Sequence, residues 1–227
     1  MTTLIKMKHK QQDMIKRSCI MVSLLMFTLL TLSACGDAEL DARKELVALG
    51  FPFDEANFTK AVSKGDSKII ELFLEAGIGK NKDAISYGLI PAIKKDKQEM
   101  VKLLLDNGAD VNVQSTDKHF FEGGTPLTLA LALEKMDMVK HLLDNGADPN
   151  VECKEASSNR RDKRGGTPLI YAVALQEFDM VELLLEKGAN PNLESRTGPT
   201  KGYTPLKLAI ELGFAGVEEL LKANGAK

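Results

Sequence analysis

TPLIYAVALQEFDMVELLLEKGANPN, residues 167–192, is the stretch whose reading decides the fold. Thr167 is a good helix N-cap, and Pro168 fits the first helical position, where its missing N–H leaves no bond unmade. Met180, Val181, Leu184 and Leu185 follow helical spacing and mark one apolar face. Gly188 suits the left-handed residue that ends a helix, because it has no Cβ to clash. A unit this small cannot bury its own apolar face, so it predicts stacked neighbours of the same kind.

Those neighbours are present. Thr167-Pro168-Leu169 has counterparts at Thr125-Pro126-Leu127 and Thr204-Pro205-Leu206. An alanine follows each Thr at the same distance, at Ala130, Ala172 and Ala209, and a Gly-Ala pair closes each unit at Gly146, Gly188 and Gly225. The apolar set Met138, Val139, Leu142 and Leu143 repeats the helical spacing one unit earlier. Laid upstream, the frame puts Tyr87 in the Thr position with Ala92 behind it, and before that a unit starting at Ala56. The pattern resembles the ankyrin repeat. That resemblance implies a β-turn and two antiparallel helices in about 33 residues per unit. The expected fold is an all-α ankyrin-repeat solenoid of about five helix-turn-helix repeats with short β-turn fingers, starting near residues 56, 87, 125, 167 and 204. An N-terminal capping helix is expected over 40–50.

Two departures from the family pattern bear on stability. The family's histidine after Thr-Pro-Leu is replaced by Thr128, Ile170 and Lys207, so its hydrogen bond to the Thr hydroxyl is expected to be lost. The Gly-His turn between helices is replaced by Glu134-Lys135 and Gln176-Glu177. The array should therefore be less stable than an idealised one.

Repeat starts are separated by 31, 38, 42 and 37 residues, so the last three junctions carry insertions. Insertions in a solenoid map to loops on one face, often the binding face. The first, Gln114–Gly124, contains Lys118, His119, Phe120 and Phe121. The adjacent phenylalanines are either folded back on the stack or an exposed anchor, and aromatic anchors dominate interface energetics. The second, Cys153–Gly166, holds Arg160, Arg161, Lys163 and Arg164, which read either as a solvated loop or as a contact for an acidic protein surface or anionic headgroups. The third, Leu193–Tyr203, holds Arg196, Lys201 and Tyr203 and should lie beside the second. Lys118, Phe120, Phe121, Arg160, Arg161, Lys163, Arg164 and Tyr203 are the candidate partner-binding residues.

The N-terminus carries a different message. Five basic residues and one acid precede an apolar core, Cys19 to Leu32, and no charge occurs from Ser18 to Gly36. A basic region followed by a short apolar stretch describes a secretory signal. The core is short for a bilayer span, which needs roughly 20 residues. Leu32-Ser33-Ala34-Cys35 resembles the bacterial lipobox, which implies cleavage between Ala34 and Cys35 and a lipid on the Cys35 thiol. The expected organisation is a removed signal over 1–34, a lipidated tether over 35–39 and a repeat domain over 40–227. Gly36 rather than aspartate follows the cysteine, which the resemblance connects with the outer membrane, facing the periplasm, if the cell is Gram-negative.

Beyond residue 34 the chain has 25 basic and 31 acidic side chains, a net charge of −6 that excludes a general nucleic-acid footprint. Only Cys153 lies in the body of the chain, so no disulfide framework is available there. His119 and His141 are too few and too far apart in sequence to form a metal site with it, and no nucleophile has a histidine at motif spacing. His141 stands where the family places a core leucine. No catalytic residue, metal or cofactor is expected, and the chain should be monomeric. The expected function is a membrane-tethered protein–protein interaction module in the bacterial cell envelope. Its partner would be gripped by the concave face and fingers. One form is an immunity or inhibitor protein for an envelope-acting toxin, a role some bacterial ankyrin lipoproteins resemble. The alternatives are an accessory to an envelope enzyme, for instance in stress defence, or a structural scaffold with no single ligand.

Overall fold

The structure, a computed structural model of the chain, describes residues 36–115, 124–152, 166–196 and 200–227. These residues form eleven α-helices, a short 3-10 helix (Ile78–Lys80) and no strand ladder. Helix α1 covers residues 36–48. Five helix pairs follow: α2 (Glu55–Lys64) with α3 (Ser67–Glu75), α4 (Lys82–Lys94) with α5 (Gln98–Asp106), α6 (Pro126–Ala132) with α7 (Met136–Asp144), α8 (Pro168–Leu175) with α9 (Phe178–Glu186), and α10 (Pro205–Glu211) with α11 (Ala215–Ala223). The first helices of successive pairs pack on one another in an inner row, and each second helix lies outside its partner. The result is an all-α solenoid.

Local chemistry accounts for the helix starts. Thr125, Thr167 and Thr204 accept from the backbone N–H of Thr128, Ile170 and Lys207, each at 3.3 Å, and the Pro after each Thr opens the helix. In the third repeat the expected loss of a side-chain bond does not occur. The Thr128 hydroxyl accepts from the Thr125 backbone N–H at 2.7 Å and lies 3.3 Å from the Thr125 hydroxyl, so a capping box replaces the family's histidine. Only Ile170 and Lys207 leave that bond unmade.

The turn inside each pair closes on the repeated alanine. Lys97 N–H donates to Ala92 at 2.9 Å, Lys135 to Ala130 at 3.0 Å and Phe214 to Ala209 at 2.9 Å. All three alanines, with Ala61 and Ala172, are fully buried. The residue two positions before the second helix is left-handed in every pair. Gly65 and Gly213 adopt that conformation freely, but Asp96, Glu134 and Gln176 hold it at φ of 58°, 55° and 61°. A side chain there costs roughly 1–2 kcal/mol. Glu134→Gly and Gln176→Gly should therefore each stabilise the chain by about 1 kcal/mol, less any added freedom of the unfolded chain, and raise the melting temperature by roughly 2–4 °C. Thermal melts of the two single variants check this, and an unchanged or lower midpoint would refute the strain.

The two N-terminal pairs differ from the repeat frame. Tyr87 is not at a helix start: α4 begins five residues earlier, capped by Asn81, whose side chain accepts from Ala84 N–H at 3.1 Å. No residues are inserted at this junction, so the chain runs directly into a helix where later repeats leave the stack. Helix α2 is capped in the same way by Asp54. The first helix also departs from expectation. It covers 36–48 rather than 40–50, so residues 36–39 are helical and not an extended tether. Asp37 and Glu39 favour a helix N-terminus, and the Lys80 ammonium bonded to Glu39 holds that carboxyl below the usual carboxylate range. At about 1.5 Å per residue those four positions reach roughly 6 Å, where an extended tether would reach about 14 Å.

One apolar core runs the length of the stack. At the N-terminal end Phe73 stacks on Phe53 (centroids 5.9 Å apart) and meets Phe58 edge-on (5.6 Å). The Arg43 guanidinium covers the Phe53 ring at 4.3 Å, and its Nε donates to the Ala76 carbonyl at 3.0 Å. At the other end Lys207, Glu218 and Lys222 occupy the positions that Ile170, Val181 and Leu185 hold one repeat earlier, where all three are buried. A charged outer face is what the terminal unit of a stack requires.

Candidate partner-binding surface

The surface is built on a row of side chains that join one repeat to the next. Asn112 accepts from Asp148 N–H at 2.8 Å and donates to the Gly146 carbonyl at 3.3 Å. Asn150 does the same to Asn190 (2.8 Å) and Gly188 (3.2 Å), and Asn192 to Lys227 (2.9 Å) and Gly225 (3.0 Å). Each turn is also closed locally: Asn112, Asn150 and Asn192 N–H donate to the side chains of Asp110, Asp148 and Asn190. Asp54 and Asn81 occupy the same place in the frame but turn inward to cap their own helices. The difference follows from what comes next, a helix in two cases and an inserted finger in three. In the second pair Ser86 of α4 takes that place, accepting from Asp110 N–H at 2.8 Å.

Asn150→Ala removes two of these cross-repeat bonds and leaves a backbone N–H and a carbonyl short of partners. A loss of about 2 kcal/mol is expected, at roughly 1 kcal/mol per bond. In a one-dimensional stack the defect, between the third and fourth repeats, should first loosen the shorter C-terminal side. Hydrogen exchange that accelerates in α10 and α11 before α2 to α5 would bear this out; uniform acceleration would count against it.

Beyond the row lie the bases of the three insertions. The first is closed at its base by Ser115 N–H to Gly124 carbonyl at 2.8 Å, and the third by Ser195 N–H to Tyr203 carbonyl at 2.9 Å. The second and third are tied together, since Glu152 Oε1 accepts from Arg196 N–H. Between them lies a cavity of about 440 Å³ lined by Asn150, Glu152, Thr167, Leu193, Glu194 and Arg196. The expectation that the third finger lies beside the second is therefore realised at their bases.

Of the candidate binding residues, Tyr203 is placed by the structure. It is half-buried, Lys207 Nζ sits 4.5 Å over its ring, and its hydrogen bond with the Glu211 carboxylate raises the phenol above its usual range. Lys118, Phe120, Phe121, Arg160, Arg161, Lys163 and Arg164 lie outside the described residues, as do Ala34, Cys35 and Cys153. The inner helices contribute little side-chain surface at the centre of the array, because Pro126–Leu131 and Pro168–Val173 are buried throughout. Exposure on that row is concentrated towards its ends, on Glu55, Thr59 and Lys60 of α2 and Tyr87 of α4 and on Lys207, Ile210 and Glu211 of α10.

His141 is half-buried as its place in α7 implied, and its Nε2 is a buried atom with no hydrogen-bond partner. Among the described residues no group of three His, Cys, Asp or Glu side chains could hold a metal ion. Sequence reasoning missed a larger cavity of about 860 Å³ at the N-terminal end, bordered by Phe53, Asp54, Glu55, Ile78, Lys80 and Asn81. Its available signal was the shortest repeat spacing, which left the first junction without a finger.

Helix pairs stacked in series, pinned by side-chain bridges and interrupted by insertions at three junctions, define a solenoid scaffold for protein–protein interaction. The chain belongs to the ankyrin-repeat family: the family model described as ankyrin repeats (3 copies) matches it over residues 58–153, 89–195 and 152–227. No curated protein matches the sequence. Proteins of this family are typically interaction modules rather than catalysts.

Proposed function

We propose that the chain is a lipid-anchored ankyrin-repeat module of the bacterial cell envelope, holding a partner protein in its three fingers. The observation that carries the reading is the asparagine row, which sets the bases of the three insertions at successive repeat junctions. Their sequences supply Phe120 and Phe121 as apolar anchors and Arg160, Arg161, Lys163 and Arg164 as a basic patch on an otherwise acidic body. The lipobox-like Leu32 to Cys35 supplies the membrane half.

The test is a combined replacement of Phe120, Phe121 and the four basic residues by alanine. Loss of the partner recovered from detergent-solubilised envelope, with an unchanged melting temperature, supports specific binding by the fingers. Full retention favours a scaffold without a single ligand. Lipid attachment is tested separately by metabolic labelling with a fatty acid, which Cys35→Ala should abolish. In its sharper form the module neutralises a toxin acting in the envelope. Deletion would then be toxic only when a neighbouring hydrolase gene is intact. A housekeeping enzyme as the stoichiometric partner would make it an accessory protein instead.

A further inference from the structure

We infer that α1 rests on the lipid–water interface through Leu40 and Val47, an inference built on the anchoring reading above. The helix has two apolar sides. Ala42 and Leu46 are buried against the first repeat. Leu40 and Val47, seven residues apart and so on one side of the helix, are 53 % and 61 % exposed. With Leu49 they make up three of the seven large hydrophobic residues that the described chain leaves exposed, within its first fourteen described residues. Clustered apolar exposure on a soluble surface marks a contact site.

What covers it follows from the chain just before it. The charge-free segment from Ser18 to Gly36 precedes the helix in sequence, and the described chain is helical from residue 36 on, with no extended spacer after it. A lipid on Cys35 therefore holds the N-terminus of α1 within about one helical turn of the headgroups. Among the described residues no helix is long and apolar enough to cross a membrane, so contact is by lying on the surface. Lys44, on the same side, is paired with Asp41 at 2.9 Å, and Asp37, Asp41 and Glu45 leave the helix without the basic excess that anionic lipid attracts. The contact is apolar, and added salt should not weaken it.

The experiment uses the full chain processed in a bacterial host, with Cys19→Ser and Cys153→Ser. An environment-sensitive fluorophore is placed on Leu40→Cys, on Val47→Cys or, for comparison, on Lys140→Cys of α7. Each chain is bound to vesicles of phosphatidylethanolamine and phosphatidylglycerol containing a spin-labelled lipid. Blue-shifted, quenched emission at positions 40 and 47 but not 140, at low and high salt alike, supports the seat. Flotation with the vesicles without quenching at 40 or 47 overturns the seat and leaves the anchor standing. A chain that does not float overturns both. A blue shift without quenching means that a second copy or the segment 19–32 covers the face, and this also overturns the inference.

Discussion

Replacing Phe73 with alanine should destabilise the chain by about 3–5 kcal/mol, the range for truncating a buried aromatic ring. Phe73 is fully buried and holds two rings at once, Phe53 stacked and Phe58 edge-on. Phe53 also carries the Arg43 guanidinium, and Arg43 is the residue through which α1 bonds to the Ala76 carbonyl. The loss should therefore be polarised. Amides of α1 to α3 should exchange much faster, while α8 to α11 keep most of their protection, because each repeat feels only its neighbours. Denaturant melts give the total, and hydrogen exchange resolved by segment gives the distribution. A uniform loss across the stack would mean that the repeats open as one unit.

Gly166→Ala should cost about 2–4 kcal/mol by two routes that can be separated. Gly166 has φ near 123°, a backbone region that residues with side chains rarely adopt. A Cβ there would lie 2.9 Å from Ser195 Oγ and 3.2 Å from Ile170 Cγ2. Ser195 is fully buried and accepts from the Thr200 hydroxyl at 3.2 Å, so it has little room to retreat. The clash joins the start of one repeat to the base of the next finger, and the variant should loosen the loop that carries Arg196 and Tyr203. Adding Ser195→Gly should return part of the loss, since it relieves the contact but not the dihedral strain. A double-mutant cycle on melting free energies measures that share. No recovery would place the whole cost on the backbone.

How much of this was legible in the sequence varies by element. Thr125, Thr167 and Thr204 announced the helix starts because capping is local chemistry. The buried sets Met138 to Leu143 and Met180 to Leu185 followed from periodicity alone. The first two repeats were less legible. Aligning Tyr87 with the threonines matched the end of α4 correctly, through Ala92, but spacing cannot tell a turn from a longer helix when nothing is inserted. The rescue by Thr128 was missed because the family pattern looks for a histidine and not for a hydroxyl doing similar work. Counting residues located the junctions with insertions, and their bases are closed by Ser115 to Gly124 and Ser195 to Tyr203. The tie from Glu152 to Arg196 was not foreseeable, because it depends on how two turns 44 positions apart superpose across a repeat boundary.

The asparagine row has a consequence for how such a chain can change over generations. Asn112, Asn150 and Asn192 complete the join between repeats before the polypeptide departs into a finger, so the join does not sense what the finger contains. Lengthening a loop adds little, about 0.6 kcal/mol for each doubling. The three fingers can thus be rewritten, exchanged or extended while the rest of the sequence is held constant. A lineage confronted with a new partner need alter only those few loop positions, and its history should be recorded there as rapid divergence beside a static frame.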